Sequence, residues 1–126
     1  MLCFLIMDRK FKKKERIISK SLISYIFKKG IYRSFDLFRV FYIKKKIEAP
    51  SKAFIMISVP KRNIQKAVDR NQIKRRIISS YQENKSIVSG NEKTYSYWII
   101  FIYRDRQILS FKKINQAIKN ILHNLC

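Results

Sequence analysis

Arg70, Asn71, Lys74, Arg75 and Arg76 crowd into the stretch KAVDRNQIKRRII, residues 66–78, with Asp69 the single acid among them. Side chains of this kind bind anions. Arginine offers a planar fork of donors matched to phosphate, and lysine offers a compact point charge. Asparagine both donates and accepts, so it suits a ribose hydroxyl, a base edge or a neighbouring backbone group. A solvated helix face usually mixes charge signs at spacings of three and four, because such pairs stabilise it. Here one sign is concentrated, and its self-repulsion costs stability unless a polyanion docks there.

A helix is the element that organises these residues. At 100° per residue, Arg70, Asn71, Lys74 and Arg75 fall within an arc of roughly 140°. Ile73 and Ile77 lie beside that arc and face a core, with Tyr81 at its edge. Arg76 points roughly 100° away from Arg75. Lys61 and Arg62 stand just ahead of the helix and extend the cationic group. For Lys74 taken alone, a solvated surface cation is the simpler reading; the group as a whole reads as an RNA-binding strip. Asp69 reads as a first-turn acid or local salt-bridge partner, not a catalytic group.

Other chemistries find little support. Hydrolysis of RNA by protein needs a histidine pair or a carboxylate cluster holding magnesium. The one histidine is His123, and Asp8, Glu15, Asp36, Glu48, Asp69, Glu83, Glu92 and Asp105 are scattered. Cys3 and Cys126 sit at opposite ends with no CxxC, which argues against zinc. Two terminal cysteines suit a reduced, cytoplasmic protein better than a disulfide framework.

Composition points the same way. The chain of 126 residues carries 29 Lys+Arg against 8 Asp+Glu, a formal charge of +21. A+T-rich coding inflates lysine, but it does not remove acids, so a surface this basic indicates nucleic acid. A hydrophobic content of 47% argues against disorder, and only 2 Gly and 2 Pro argue against a turn-rich all-β chain. The opening MLCFLIM precedes its basic residues, the reverse of a signal peptide, and is far short of the ~20 apolar residues of a spanning helix.

The elements follow from patterning. Residues 1–15 read as a basic or disordered tail and 16–126 as one RNA-binding domain. Ser19 caps a short helix, with Leu22, Ile23, Ile26 and Phe27 at helical spacing and Gly30 as its stop. FDLFRVFYI, residues 35–43, reads as a strand with Phe38, Val40 and Tyr42 on its apolar face. Leu37, Arg39, Phe41 and Ile43 form its wetter face, and residues 44–52 read as a solvated connection. AFIMISV, residues 53–59, reads as an interior strand. The cationic helix runs from about residue 65 to 83 and a loop from 84 to 94. YSYWIIFIYR, residues 95–104, is the strongest strand. Ser110 caps a last helix striped by Ile114, Ala117, Ile118, Ile121, Leu122 and Leu125. A fourth strand falls either near residues 31–34 or in the first heptad. The sum is an α+β or α/β sandwich with a small sheet, in which three strands are clear.

The run SVPKRNIQKAVDRNQIKRRI resembles the signature segment of the bacterial ribonuclease P protein component. That family carries a Ser-Val-x-Lys-Lys/Arg strand end, then Ala-Val-x-Arg-Asn-x-Ile-Lys-Arg on a helix. These are Ser58, Val59, Lys61, Arg62, Ala67, Val68, Arg70, Asn71, Ile73, Lys74 and Arg75 here. Phe27-Lys28-Lys29-Gly30 also matches the end of the family's first helix, and the likeness covers all but the first heptad. One departure stands out: the family usually has another Arg where this chain has Ile78, a position inside the basic arc.

The resemblance implies an α+β sandwich of about three helices on a small four-stranded sheet, with a left-handed crossover around the signature helix where handedness rules alone predict the opposite. It also implies a function. The chain would be the small subunit of a ribonucleoprotein that removes the 5′ leader of precursor tRNA, an endonuclease whose RNA subunit carries the catalysis with magnesium. Arg70, Asn71, Lys74 and Arg75, flanked by Lys61 and Arg62, would face the catalytic RNA. Phe27 and Phe41 would line the leader cleft, where stacking on an aromatic tolerates any base. From the residues alone, Phe27 reads equally as core, and a one-residue slip would put Tyr42 in the cleft instead. Three other classes remain: a ribosomal-type or stand-alone RNA-binding protein, a protein-only nuclease, and a basic peripheral membrane protein resting on the last helix with Lys112, Lys113 and Lys119.

Overall fold

The computed structural model describes residues 19–47, 51–90 and 94–125. The apolar heptad, the basic tail, Pro50 and both cysteines lie outside the described residues. Eight elements follow in order: α1 (Lys20–Lys29), β1 (Ile31–Ser34), β2 (Phe38–Lys46), β3 (Ala53–Ser58), α2 (Ala67–Asn84), a 3-10 turn (Lys85–Ile87), β4 (Tyr95–Tyr103) and α3 (Phe111–Leu125). The strands form one mixed sheet in the order β1-β2-β4-β3, with β3 parallel to β4 and the other pairs antiparallel. Helix α2 connects the parallel pair, as a crossover must when strands run the same way.

Strand alternation gives the sheet two faces. Phe38, Val40, Tyr42, Ile55, Ile57, Tyr97, Ile99, Phe101 and Tyr103 pack with α2 and α3 in the main core. Phe41, Ile43, Phe54, Met56, Trp98, Ile100 and Ile102 point the other way, where α1 supplies Leu22, Ile23 and Ile26. One face is fully roofed by two helices. The other has a single short helix, and only Ile26 of α1 is buried, so apolar strand surface stays within reach of solvent.

Ser19 caps α1 through its hydroxyl, which accepts from the Leu22 N–H at 3.3 Å. Gly30 ends α1 for a reason other than a left-handed turn. Its backbone is extended, with φ −73°. A Cβ there would stand 2.4 Å from the Ile26 carbonyl oxygen of α1 itself and 3.0 Å from that of Tyr42 on β2, so crowding by these two carbonyls demands glycine. On α3, Ser110 accepts from the Lys113 N–H at 3.4 Å. Helices α2 and α3 are locked by Asn115, whose Oδ1 accepts from Ser80 and Asn84 at 2.8 Å each.

Three expectations need correction. The second strand begins at Phe38, not Phe35, because the Phe35 N–H folds back onto the Phe38 carbonyl and makes residues 35–37 a turn. It then continues through Lys44–Lys46, paired to Tyr97, Ser96 and Tyr95. Antiparallel pairing to the apolar β4 overrides the hydrophilicity of those lysines. The third strand is an edge, not an interior strand. It reads as apolar throughout because both its faces are covered, while its free edge is a matter of hydrogen bonding that composition does not report.

Candidate nucleic-acid interface

Helix α2 is anchored by Ile73, Ile77, Ile78, Ser80 and Tyr81, all buried. The buried face widens toward its C-terminal half, while its N-terminal half carries the cations. Asn71 and Arg75 are exposed and Lys74 is half-buried. None of the three side chains has an intramolecular hydrogen bond or ion pair among the described residues. The charges of Lys74 and Arg75 and the amide of Asn71 are available to a ligand. Lys61 and Arg62 are likewise exposed, in the turn that links β3 to α2.

Arg70 differs. Its Nη1 donates to the carbonyls of Ile64 at 2.9 Å and Gln65 at 2.7 Å. It ties the segment before the helix to the first turns of α2, where the Lys66 side chain provides no cap. Arg70 is therefore partly committed to the fold, and spacing alone could not reveal this. Arg76 points away as its phase requires, and its Nη1 donates to the Leu109 carbonyl.

Ile78 corrects a further expectation. It is 3% exposed and belongs to the main core. Helical phase places it within the basic arc, but α2 sinks into the sandwich toward its C-terminal half, so the same azimuth that is wet at Asn71 is dry there. An isoleucine suits that burial. The strip is therefore shorter than the phase of the helix suggested.

The thinly covered sheet face forms the second feature. Phe27, 41% exposed, meets Phe41 edge-on with ring centroids 4.8 Å apart, and Tyr32 meets Phe41 at the same distance. Further along that face, Phe54 and Trp98 stack at 5.5 Å. The register sets Phe41 beside Ile100 and Ile43 beside Trp98, with Met56 and Phe54 completing the two rows. Tyr42 is buried in the opposite core, so Phe41 is the residue on the α1 side. Tyr32, Phe54 and Trp98 went unnoticed in the sequence reading. Alternation within the strongest strand could have found Trp98, whereas β1 is too short to carry a pattern.

One end of the aromatic face leads toward the cationic turn ahead of α2. Arg39 pairs with Ile102, which pairs with Ser58, the last residue of β3 before the segment leading to Lys61 and Arg62. A chain lying on the aromatic face would pass this row and reach the cationic turn.

The ribonuclease P family model matches residues 11–126. The chain belongs to the ribonuclease P protein family. Among solved structures, the RNase P protein of Staphylococcus aureus is 27% identical, with a TM-score of 0.70 over 88% of this chain and 94% of that one. A mutant of the same protein, described as defective in mRNA degradation activity, superposes with a TM-score of 0.73 at 27% identity over 90% and 89%. The RNase P protein of Thermotoga maritima shares the fold, with a TM-score of 0.68 at 22% identity over 87% of this chain and 96% of that one. No curated protein matches the sequence. Membership makes the chain an RNase P protein subunit, with a role in tRNA processing and an RNA partner within the ribonucleoprotein. Among the described residues, no helix is long and apolar enough to cross a membrane, and no three His, Cys, Asp or Glu side chains group to hold a metal.

Proposed function

We propose that this RNase P protein docks the α2 strip onto the catalytic RNA and receives the single-stranded 5′ leader of precursor tRNA on the α1 side of the sheet. The observation that carries the reading is that the side chains of Asn71, Lys74 and Arg75 are held over a rigid core without a partner among the described residues, while the opposite face of the same sheet offers the partly exposed rings of Phe27 and Phe41. Folded RNA neutralises the strip, and counterions released from its phosphates drive association. Arg70 serves in both roles, bracing the strip through Ile64 and Gln65 and adding its charge to it. The leader stacks on the rings without regard to base identity.

The chain itself contributes positioning and charge screening. Its aromatic face holds the leader, and its cations offset the repulsion between two RNAs brought together. Magnesium belongs to the RNA active site in this reading, where it supplies charge stabilisation for endonucleolytic hydrolysis, and no protein motif holds it. The site of action is the cytoplasm, and the RNA-binding domain falls within residues 16–126.

The test mixes the purified chain with precursor tRNA and magnesium, with and without a bacterial ribonuclease P RNA. Leader removal stimulated only when that RNA is present supports the reading. Cleavage by the protein alone would identify a protein-only nuclease. Tight binding to ribosomal RNA with no effect on cleavage would identify a general RNA-binding domain.

A further inference from the structure

The connection between β4 and α3, residues 104–110, is built more firmly than a loop requires. The Asn63 side chain donates to the Tyr103 carbonyl at 3.0 Å, and the Arg76 side chain donates to the Leu109 carbonyl. These two bonds clamp the connection between the cationic turn and α2. Within it, the Tyr103 hydroxyl donates to the Gln107 carbonyl at 2.7 Å, and the Gln107 N–H donates to the Asp105 carboxylate at 2.7 Å. Arg104 is engaged with the Ser34 hydroxyl and the Phe35 carbonyl.

Arg106 is the exception. It is exposed and has no intramolecular partner among the described residues, although Asp105 beside it is turned into a hydrogen bond with the backbone. Ile108, two residues on, is 43% exposed. A loop fixed at both ends thus presents a free guanidinium and an aliphatic side chain beside the segment that carries Lys61 and Arg62.

We propose that Arg106 is a further phosphate-binding residue, continuing the α2 strip across the β4–α3 connection onto the backbone of the same folded RNA, with Ile108 lying against ribose. Preorganisation is what separates Arg106 from the chain's other free cations: the clamps remove most of the ordering entropy that a mobile loop would lose on binding. The inference rests on the RNA-docking reading above.

The test measures binding of a bacterial ribonuclease P RNA transcript across a salt series for Arg106→Ala, Arg106→Lys, Arg75→Ala and Lys119→Ala, the last an exposed cation on α3. Arg106→Ala should flatten the slope of log K against log salt by about 0.7 to 0.9, a roughly three-fold smaller loss of affinity between about 50 and about 200 mM salt. Arg106→Lys should keep the slope, and thermal melts of all four variants should match the parent. An unchanged slope for Arg106→Ala beside a flattened one for Arg75→Ala would overturn the inference and leave RNA docking intact. Unchanged slopes for both would remove the docking reading as well. Equal flattening by Lys119→Ala would reduce the effect to net charge and overturn the proposal.

Discussion

Alanine at Arg75 and alanine at Arg70 should have different consequences, although both remove one guanidinium from the same helix face. Arg75 is exposed and touches no partner among the described residues, so Arg75→Ala should shift stability by no more than about 0.5 kcal/mol. Arg70 donates to two carbonyls at 2.9 and 2.7 Å. Charged donors make the stronger class of hydrogen bond, but Arg70 is half-exposed and water can reach the carbonyls it leaves. The loss should therefore sit near the low end of that class, about 1 to 2 kcal/mol in total. For a chain of this size that is roughly 4 to 10 °C in Tm. On RNA, each variant should flatten the salt slope by about 0.7 to 0.9, and the double variant by about twice that. Urea melts give the first quantity, and filter binding of the catalytic RNA over a salt series gives the second. Equal stability losses for the two variants would mean that Arg70 braces nothing. A slope unmoved by Arg75→Ala would take α2 out of the interface.

Three further outcomes are expected. Phe27→Ala should weaken precursor tRNA with a leader by about 1 to 3 kcal/mol, the range for one lost stacking platform, and leave mature tRNA unchanged; fluorescence of Trp98, the single tryptophan, reports the titration, and equal losses on both RNAs would make Phe27 merely structural. Gly30→Ala should destabilise the fold by about 1 to 3 kcal/mol, since its Cβ would stand 2.4 Å from a backbone oxygen, and a denaturant midpoint at the parent value would contradict the close approach. Burial pushes the Tyr103 hydroxyl up to about 12 from its usual 10.0. The folded state thus favours the protonated phenol, so this contribution to stability is whole below pH 10 and is lost between pH 10 and 12. Urea melts of the parent and Tyr103→Phe should show the parent losing ground to the variant over that window, and parallel curves would refute it.

Much of the architecture was legible because two signals agreed. The stripe of α3 and the alternation of β2 each set a face, and the structure buries Ile114, Ile118, Ile121 and Leu122 and separates Phe38 from Phe41 accordingly. The misreadings share a cause: contacts distant in sequence. The edge position of β3, the extension of β2 through its lysines and the burial of Ile78 all depend on what lies alongside, which local pattern does not encode. The same holds at the candidate site. Residue type marked Arg70, Asn71, Lys74 and Arg75 as a group, but only the bonds to Ile64 and Gln65 set Arg70 apart. Gly30 was legible as a stop from its residue type, but its φ of −73° is open to any residue, and what demands glycine is the Ile26 carbonyl of its own helix with that of Tyr42 beside it.

The most direct test is covalent footprinting of lysine amines in the complex with the catalytic RNA alone. RNA docked on the α2 strip predicts that Lys61 and Lys74 lose reactivity while Lys112, Lys113 and Lys119 of α3 keep theirs. Protection confined to the α3 lysines, with Lys61 and Lys74 as reactive as in the free protein, would contradict it.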